Sequence, residues 1–309
     1  MNINNVKKII KNGRILKNEP MSRHTSMKVG GNAAYYIIPA NVSELSGIIR
    51  YLYNNKIEYY VIGNGTNLLV SDKGYDGVII DLGRHDDTSF TQLGIDDSSD
   101  QVIFDAGAGC LMGAIGKYAK QFGGSGFEEL SGIPGCIGGA AVMNAGAYGT
   151  EMKDLISSVD IVSAKGELKH LSRDEIEYGY RTSSLMENGD IVARVELHLK
   201  KDDPEKIGER MDDYLARRKE KQPLEYPSSG STFKRPEGDY AGRLIEASGL
   251  SGFSIGGAQV SEKHCGFVIN KGGASARDVY DLINMIQNVV YEKQGIKLEP
   301  EVKILGDFS

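Results

Sequence analysis

Along the chain, short apolar runs closed by Gly, Pro, Asn or Asp alternate with stretches whose apolar positions recur every three or four residues, the marks of strands and of amphipathic helices. Residues 1–20 are polar and lysine-rich and read as a short amphipathic helix or arm. Residues 33–38 predict a strand ended by Pro39, and Ser43 is placed to cap a helix with Leu45, Ile48, Ile49 and Leu52 on one face. A strand over 59–62 runs into Gly63-Asn64-Gly65-Thr66-Asn67 and straight on into Leu68-Leu69-Val70, before a turn at Asp72-Lys73-Gly74 and a strand over 78–80. Residues 83–101 are polar and read as a hairpin edge. Residues 102–106 predict a strand ending in Gly107-Ala108-Gly109, and 111–121 a helix with Leu111, Ile115, Tyr118 and Phe122 on one face. A hairpin over 157–162 and 167–170 turns at Lys165-Gly166, and Ser172 with Glu175 forms a capping box for a short helix ending near Gly179. A strand over 191–199 closes this part of the chain.

Composition shifts at Lys200-Lys201-Asp202-Asp203-Pro204, the best boundary in the sequence. Asp203 caps and Pro204 starts a helix with Ile207, Met211, Tyr214 and Leu215 on its apolar face. Beyond it come a helix over 240–247 and strands over 258–260 and 266–270. Ser275 then caps a helix burying Val279, Leu282, Ile283, Ile286, Val289 and Val290, and the last strand spans 298–305. On that strand a period of two puts Val302 and Ile304 on one face and Glu301 and Lys303 on the other. The mixed order of strands and helices is that of an α+β protein.

The chain has 309 residues, enough for two or three domains, and a net charge of −6 that argues against nucleic acid or an anionic membrane as main partner. No apolar run approaches the roughly 20 residues that span a bilayer, and the N-terminus lacks an apolar signal core, which predicts a cytoplasmic protein. Cys110, Cys136 and Cys265 include no CxxC pair and read as reduced thiols, and the five histidines are dispersed, so no metal site is expected. No exposed apolar heptad is evident, and a monomer is expected.

Two segments carry candidate chemistry. The first is the Gly63–Asn67 turn. A strand followed by GxG resembles a dinucleotide-binding motif, but that motif needs a third glycine and then a helix leading to the next strand. Strand–turn–strand is not that unit, and a Rossmann fold is rejected. What remains is a turn whose N–H groups can form an anion-binding nest. The second segment, residues 131–149, holds Gly132, Gly135, Gly138, Gly139, Gly146 and Gly149 among scattered apolar residues. Such a cluster is either a tightly packed turn or a cradle for a flat, anionic ligand. Two nests together suggest one extended ligand with a diphosphate, such as FAD. From the residues alone Arg181 reads as a surface side chain, Ser231 as a turn stabiliser, and Glu301 as either solvated or facing a cleft.

GNGTNLLV, SGIPGCIGGAAVMNAGAYG, GYRTSSL, YPSSGSTFKRP, IGGAQVSEKHCGFVIN and LEPEVKILG, in this order and spacing, resemble the UDP-N-acetylenolpyruvoylglucosamine reductases over nearly the whole chain after Met21, and in particular their shorter subtype. The resemblance implies a vanillyl-alcohol-oxidase-like (PCMH-type) FAD fold over residues 21–200, in lobes of about 21–82 and 83–200, and a substrate-binding domain over 201–309. It implies non-covalent FAD, NADPH as co-substrate, and reduction of UDP-N-acetylglucosamine enolpyruvate to UDP-N-acetylmuramate. Its catalytic positions fall on Ser231 as proton donor and on Arg181 and a protonated Glu301 as the pair stabilising the enolate. Its FAD-holding positions fall on Gly63, Asn64, Gly65, Thr66, Asn67 and Leu68, and on Ser131, Gly132, Ile133, Pro134, Gly135, Gly138, Gly139, Ala140, Asn144, Gly146 and Ala147. Tyr180, Arg218, Lys221 and Lys234 match substrate-binding positions. The sequence departs from the common pattern at Asn32-Ala33-Ala34 and at Ser229. The rival readings are another flavin enzyme on the same fold and a flavin- or nucleotide-binding module without turnover.

Overall fold

The computed structural model describes every residue except Arg84 and Ser99; both belong to the polar stretch 83–101 and lie outside the described residues. The chain opens with α1 (Ile3–Ile9), β1 (Arg14–Pro20), β2 (Asn32–Ile38), α2 (Val42–Asn54), β3 (Tyr59–Ile62), β4 (Leu68–Val70) and β5 (Tyr75–Asp81). It continues through β6 (Leu93–Asp96), β7 (Gln101–Gly107), α3 (Met112–Phe122), β8 (Gly124–Ser125), α4 (Ile137–Val142), β9 (Gly146–Ala147), β10 (Thr150–Glu151), β11 (Ile156–Val162) and β12 (Leu168–Ser172). Next come β13 (Tyr178–Gly179), β14 (Thr182–Ser183), α5 (Ser184–Asn188), β15 (Ile191–Lys201) and α6 (Pro204–Lys221). The chain closes with α7 (Ala241–Ala247), β16 (Ser254–Ile255), β17 (Ala258–Val260), β18 (Val268–Asn270), α8 (Ala276–Gln294) and β19 (Lys303–Leu305).

Two compact units interleave along the sequence. One holds residues 1–16, 35–64 and 77–216, the other 17–34, 65–76 and 217–309. The chain passes between them within β1, β2, β5 and α6 and inside the Gly63–Asn67 turn.

The larger unit is organised on an antiparallel sheet of order β12-β11-β15-β7-β6, with β8 added on β15. Its central strand reads Ile191-Val192-Ala193 and Val195, Leu197, Leu199, all buried, because a strand covered on one face for most of its length alternates and one covered on both does not. In the sheet of order β1-β2-β5-β3, β3 and β5 run parallel with no helix between them, the arrangement that excludes a dinucleotide-binding βαβ unit. The N-terminal residues are more than an arm. Glu44, 6% exposed, accepts the N–H groups of Lys11 (2.9 Å), Asn12 (2.7 Å), Gly13 (3.1 Å) and Ala40 (2.9 Å), tying the segment after α1 to the start of α2.

The smaller unit packs α7 and α8 beside the meander β16-β17-β18 around Leu244, Ile245, Val260, Leu282, Ile283, Ile286 and Val290. The Ser275 cap is as the sequence predicts; Ser275 forms a capping box with Asp278, and the helix ends at Gly295. β19 pairs in parallel with β4, pinning the C-terminal strand to the segment that follows the first glycine turn.

Four local expectations are corrected. The cap of α2 is Asn41, whose side chain accepts from Glu44 N, so the helix starts before Ser43. Tyr118 in α3 and Leu215 in α6 are exposed, and α3 turns Met112, Ile115 and Ala119 inward instead. The Ser172–Glu175 capping box closes only a single 3-10 turn, Arg173–Glu175. The last strand is confined to Lys303–Leu305, so alternation does not extend back to Val302: Val302 is buried while Ile304 is exposed.

Candidate active site

In the larger unit three strand ends and the glycine-rich segment crowd together. A Cβ built on Gly83 would lie 2.7 Å from Gly63 O, one on Gly109 2.1 Å from Leu82 O, one on Gly138 2.6 Å from Ala108 Cβ, and one on Gly63 3.1 Å from Cys136 Cβ. The ends of β3, β5 and β7 therefore close a ring with residues 136–138, and at Gly83, Gly109 and Gly138 glycine is a packing requirement. Ile137 N–H and Gly138 N–H are taken by Cys110 O and Ala108 O, both at 2.9 Å, which fixes the start of α4 against the turn after β7. Gly139 is different. It is exposed, and a Cβ there would meet no atom within 4 Å. The segment is thus a packed turn on one side and an open backbone face on the other.

Residues 144–151 and 178–183 form two hairpins. β9 pairs with β10 around Tyr148-Gly149, and β13 pairs with β14 around Tyr180-Arg181. Arg181 has a left-handed backbone, φ 57°, its Nη2 donates to Gly146 O at 3.1 Å, and its guanidinium lies 5.1 Å from the centre of the exposed Tyr180 ring. Asn144 is completely buried, and its side chain bonds Glu151, Gly179 O and Lys153 N. Of the expected cofactor-binding positions it is one whose side chain faces inward.

The smaller unit holds Ser231 and Glu301. Ser228 bridges to Ile269 and Thr232 N–H donates to Gly266 O at 2.9 Å, so residues 228–232 run along the edge of β18. Gly230, at φ 73°, interrupts the alternation. As a result Ser229 and Thr232 are buried while Ser231 is exposed. Glu301 N–H donates to Thr232 O at 2.8 Å, and Asn67 Nδ2 donates to Glu301 O at 3.1 Å, which brings Glu301, the Ser231 loop and part of the first glycine turn together. Lys234 Nζ is held 2.5 Å from Glu299 Oε1, Arg218 is buried at the end of α6, and Lys221 is exposed. Among the described residues there is no His, Cys, Asp or Glu cluster able to hold a metal and no helix long and apolar enough to cross a membrane. None of the three cysteines is in a disulfide bond.

Residues 33–172 match the family model of the FAD binding domain, and residues 222–305 match that of the UDP-N-acetylenolpyruvoylglucosamine reductase C-terminal domain. The chain is 48% identical over 305 residues to the UDP-N-acetylenolpyruvoylglucosamine reductase of Caldanaerobacter subterraneus subsp. tengcongensis, covering 99% of this chain and 98% of that one. It is 45% identical over 303 residues to the enzyme of the same name from Clostridioides difficile, covering 98% and 97%. The chain belongs to the UDP-N-acetylenolpyruvoylglucosamine reductase family. The crystal structure of UDP-N-acetylenolpyruvylglucosamine reductase from Thermus caldophilus superposes with a TM-score of 0.79 at 34% identity, covering 95% of this chain and 99% of that one. The reductase fold is accordingly the α+β, vanillyl-alcohol-oxidase-type FAD fold that the motifs imply, and the protein is an FAD-dependent oxidoreductase. Its residues fit that cofactor. The close ring of glycines leaves the Gly139 backbone open to a flat ligand, and no acidic side chain stands within the 131–149 segment to repel a diphosphate.

Proposed function

We propose that this reductase carries UDP-N-acetylglucosamine enolpyruvate to UDP-N-acetylmuramate with NADPH as donor, in the cytoplasm and as a monomer, in the synthesis of peptidoglycan precursors. Residues 21–200 hold the flavin, without a covalent bond, through the two glycine segments, and residues 201–309 receive the sugar nucleotide, with Arg218, Lys221 and Lys234 as cations for its phosphates. When bound, FAD would supply the hydride chemistry, with NADPH as donor and the methylene carbon of the enolpyruvyl group as acceptor.

The protein's own task is the charge that this addition creates. As the hydride arrives, negative charge builds on the carbon bearing the carboxylate and spreads into that carboxylate. A preorganised donor set aimed there is worth several kcal/mol of barrier, of the order of 3 for each well-placed donor. Arg181 answers the carboxylate, Glu301 supports the same developing charge, and Ser231 Oγ gives its proton to the carbon as the enolate collapses. Tyr180 stands beside Arg181 to seat the enolpyruvyl group.

The observation that carries this reading is the left-handed Gly230, after which Ser231 is exposed on an otherwise buried edge whose next residue, Thr232, accepts the Glu301 N–H. The test separates the two half-reactions. In Ser231→Ala, bleaching of the flavin by NADPH keeps its wild-type rate, while recolouring by the enolpyruvyl sugar nucleotide slows by about 10²–10⁴-fold, the usual worth of a positioned acid. Recolouring at the wild-type rate would sink the proton-donor assignment.

A further inference from the structure

The meeting of the two hairpins holds three non-glycine residues in left-handed backbone: Asn144 (φ 44°), Tyr148 (φ 53°) and Arg181 (φ 57°). Such conformations persist where surrounding contacts over-determine them. The contacts converge on one carboxylate. Asn144 Nδ2 donates to Glu151 Oε2 at 3.0 Å and to Gly179 O at 3.0 Å, while Asn144 Oδ1 accepts from Lys153 N at 3.0 Å. One buried amide therefore joins Glu151 to the residue that immediately precedes Tyr180-Arg181. Arg181 Nη2 in turn donates to the carbonyl of Gly146, which is the cross-strand partner of Glu151 in the β9–β10 hairpin.

Lys153 Nζ lies 2.6 Å from the same Oε2. Burial alone would raise the Glu151 carboxyl, but the hydrogen bonds from Lys153 and Asn144 and the charges of Lys153 and Arg181 outweigh it and hold it below the usual carboxylate range. Glu151 is ionised at neutral pH. From the base of the hairpin, Arg173 Nε donates to Lys153 O at 2.9 Å and its guanidinium lies 4.8 Å over the Tyr178 ring, so both residues of β13 are linked to residues 151–153.

We propose that Glu151, acting through Asn144 and the backbone of Gly146, is a positioning residue for Arg181. It fixes the tip of the β13–β14 hairpin so that the guanidinium is held in place before the substrate arrives. This rests on the role given to Arg181 above. The simpler role for Glu151 is its part in the capping box of the 3-10 turn Met152–Asp154, which concerns folding alone. The two roles differ in which half-reaction they touch, because Arg181 serves only the step that consumes the sugar nucleotide.

The experiment uses the FAD-loaded enzyme and follows flavin absorbance through each half-reaction in Glu151→Ala, Glu151→Gln, Arg181→Ala and the double variant Glu151→Ala/Arg181→Ala. In Glu151→Ala the limiting rate of recolouring by the enolpyruvyl sugar nucleotide falls at least tenfold, with flavin content and bleaching by NADPH within twofold of wild type. Glu151→Gln keeps an oxygen for Asn144 and loses the charge, and it recolours two- to tenfold slower than wild type. In the double variant the two losses do not multiply, since Glu151 acts through the group already removed. Wild-type recolouring in Glu151→Ala, a parallel fall in NADPH bleaching, or losses that multiply would overturn the proposal. If Glu151→Ala does not fold, wild-type recolouring in Glu151→Gln overturns it equally. Wild-type recolouring in Arg181→Ala is a different result: it removes the role of Arg181 itself, and the proposal with it.

Discussion

Gly138 and Gly139 are neighbours in one short helix, and replacing each by alanine asks whether the glycine-rich segment exists for packing or for the cofactor. At Gly138 the new Cβ lands 2.6 Å from Ala108 Cβ and 3.1 Å from Ala108 Cα and O, so β7 and α4 must separate by several tenths of an ångström. Overpacking of this kind costs about 1–3 kcal/mol, and the gain from replacing a helical glycine returns at most about 1 kcal/mol. Gly138→Ala is therefore destabilised by up to about 3 kcal/mol, with or without FAD. At Gly139 the Cβ meets nothing within 4 Å, so only the propensity gain acts on the protein itself. Freed of flavin, Gly139→Ala is as stable as the parent or up to about 1 kcal/mol more so. If the open face is where FAD lies, the methyl group holds the ligand off the backbone, and a tenfold loss of affinity corresponds to about 1.4 kcal/mol. The assay is urea unfolding of the flavin-free protein beside titration of FAD into it. More stable but at least tenfold weaker for FAD is the signature expected of Gly139→Ala. Parental FAD affinity in that variant would show that the open face is not the cofactor face, and the segment would revert to a structural turn.

Two further substitutions test the units separately. Glu44→Ala strips one acceptor from four N–H groups and is expected to cost about 2–4 kcal/mol after the freed amides find water, read as a fall in urea midpoint. Burial would raise the Glu44 carboxyl, but those four bonds hold it below the ordinary range. Its contribution is thus complete above the unfolded value and disappears as pH falls through the folded one, so wild type and variant converge in acid; a gap that stayed constant down to about pH 2 would refute this. His264 is also lowered, but in a base the lowering favours the neutral form. Burial lowers it, and its Nδ1 accepts the Gly266 N–H at 3.1 Å, which requires the neutral ring. The unfolded chain then takes the proton first, and stability declines as pH drops below about 6.5. His264→Gln is expected to flatten the stability profile between about pH 7 and 5; an unchanged slope would place the titrating group elsewhere.

Where the sequence was legible, a local rule left only one solution. No helix fits between Asn67 and Leu68, so a dinucleotide unit was excluded at once, and the structure shows β3 and β5 parallel with only β4 between them. The Ser275 cap and the Val279–Val290 stripe of α8 were equally determined, because one apolar face repeated over about three turns has one way to be buried. Tyr118 and Ser43 show the limit of such rules. Both fit a pattern, but the covered face of α3 is the one carrying Met112, Ile115 and Ala119, and Asn41, not Ser43, caps α2.

The site divides along the same line. Motifs pointed to Ser231, Arg181, Glu301 and the glycines, whereas the parallel pairing of β4 with β19 joins residues more than 200 positions apart and leaves no periodic trace. Glu151 is the sharpest case, since a single acid beside a glycine-rich stretch looks like any solvated carboxylate. Its meaning depends on a left-handed Asn144 pointing its amide at both Glu151 and Gly179, a geometry produced by two hairpins 30 residues apart in sequence. Groups that touch a ligand are constrained by chemistry and recur as motifs. Groups that hold them in place are constrained only by the local arrangement of the backbone, and they become visible when that arrangement is known.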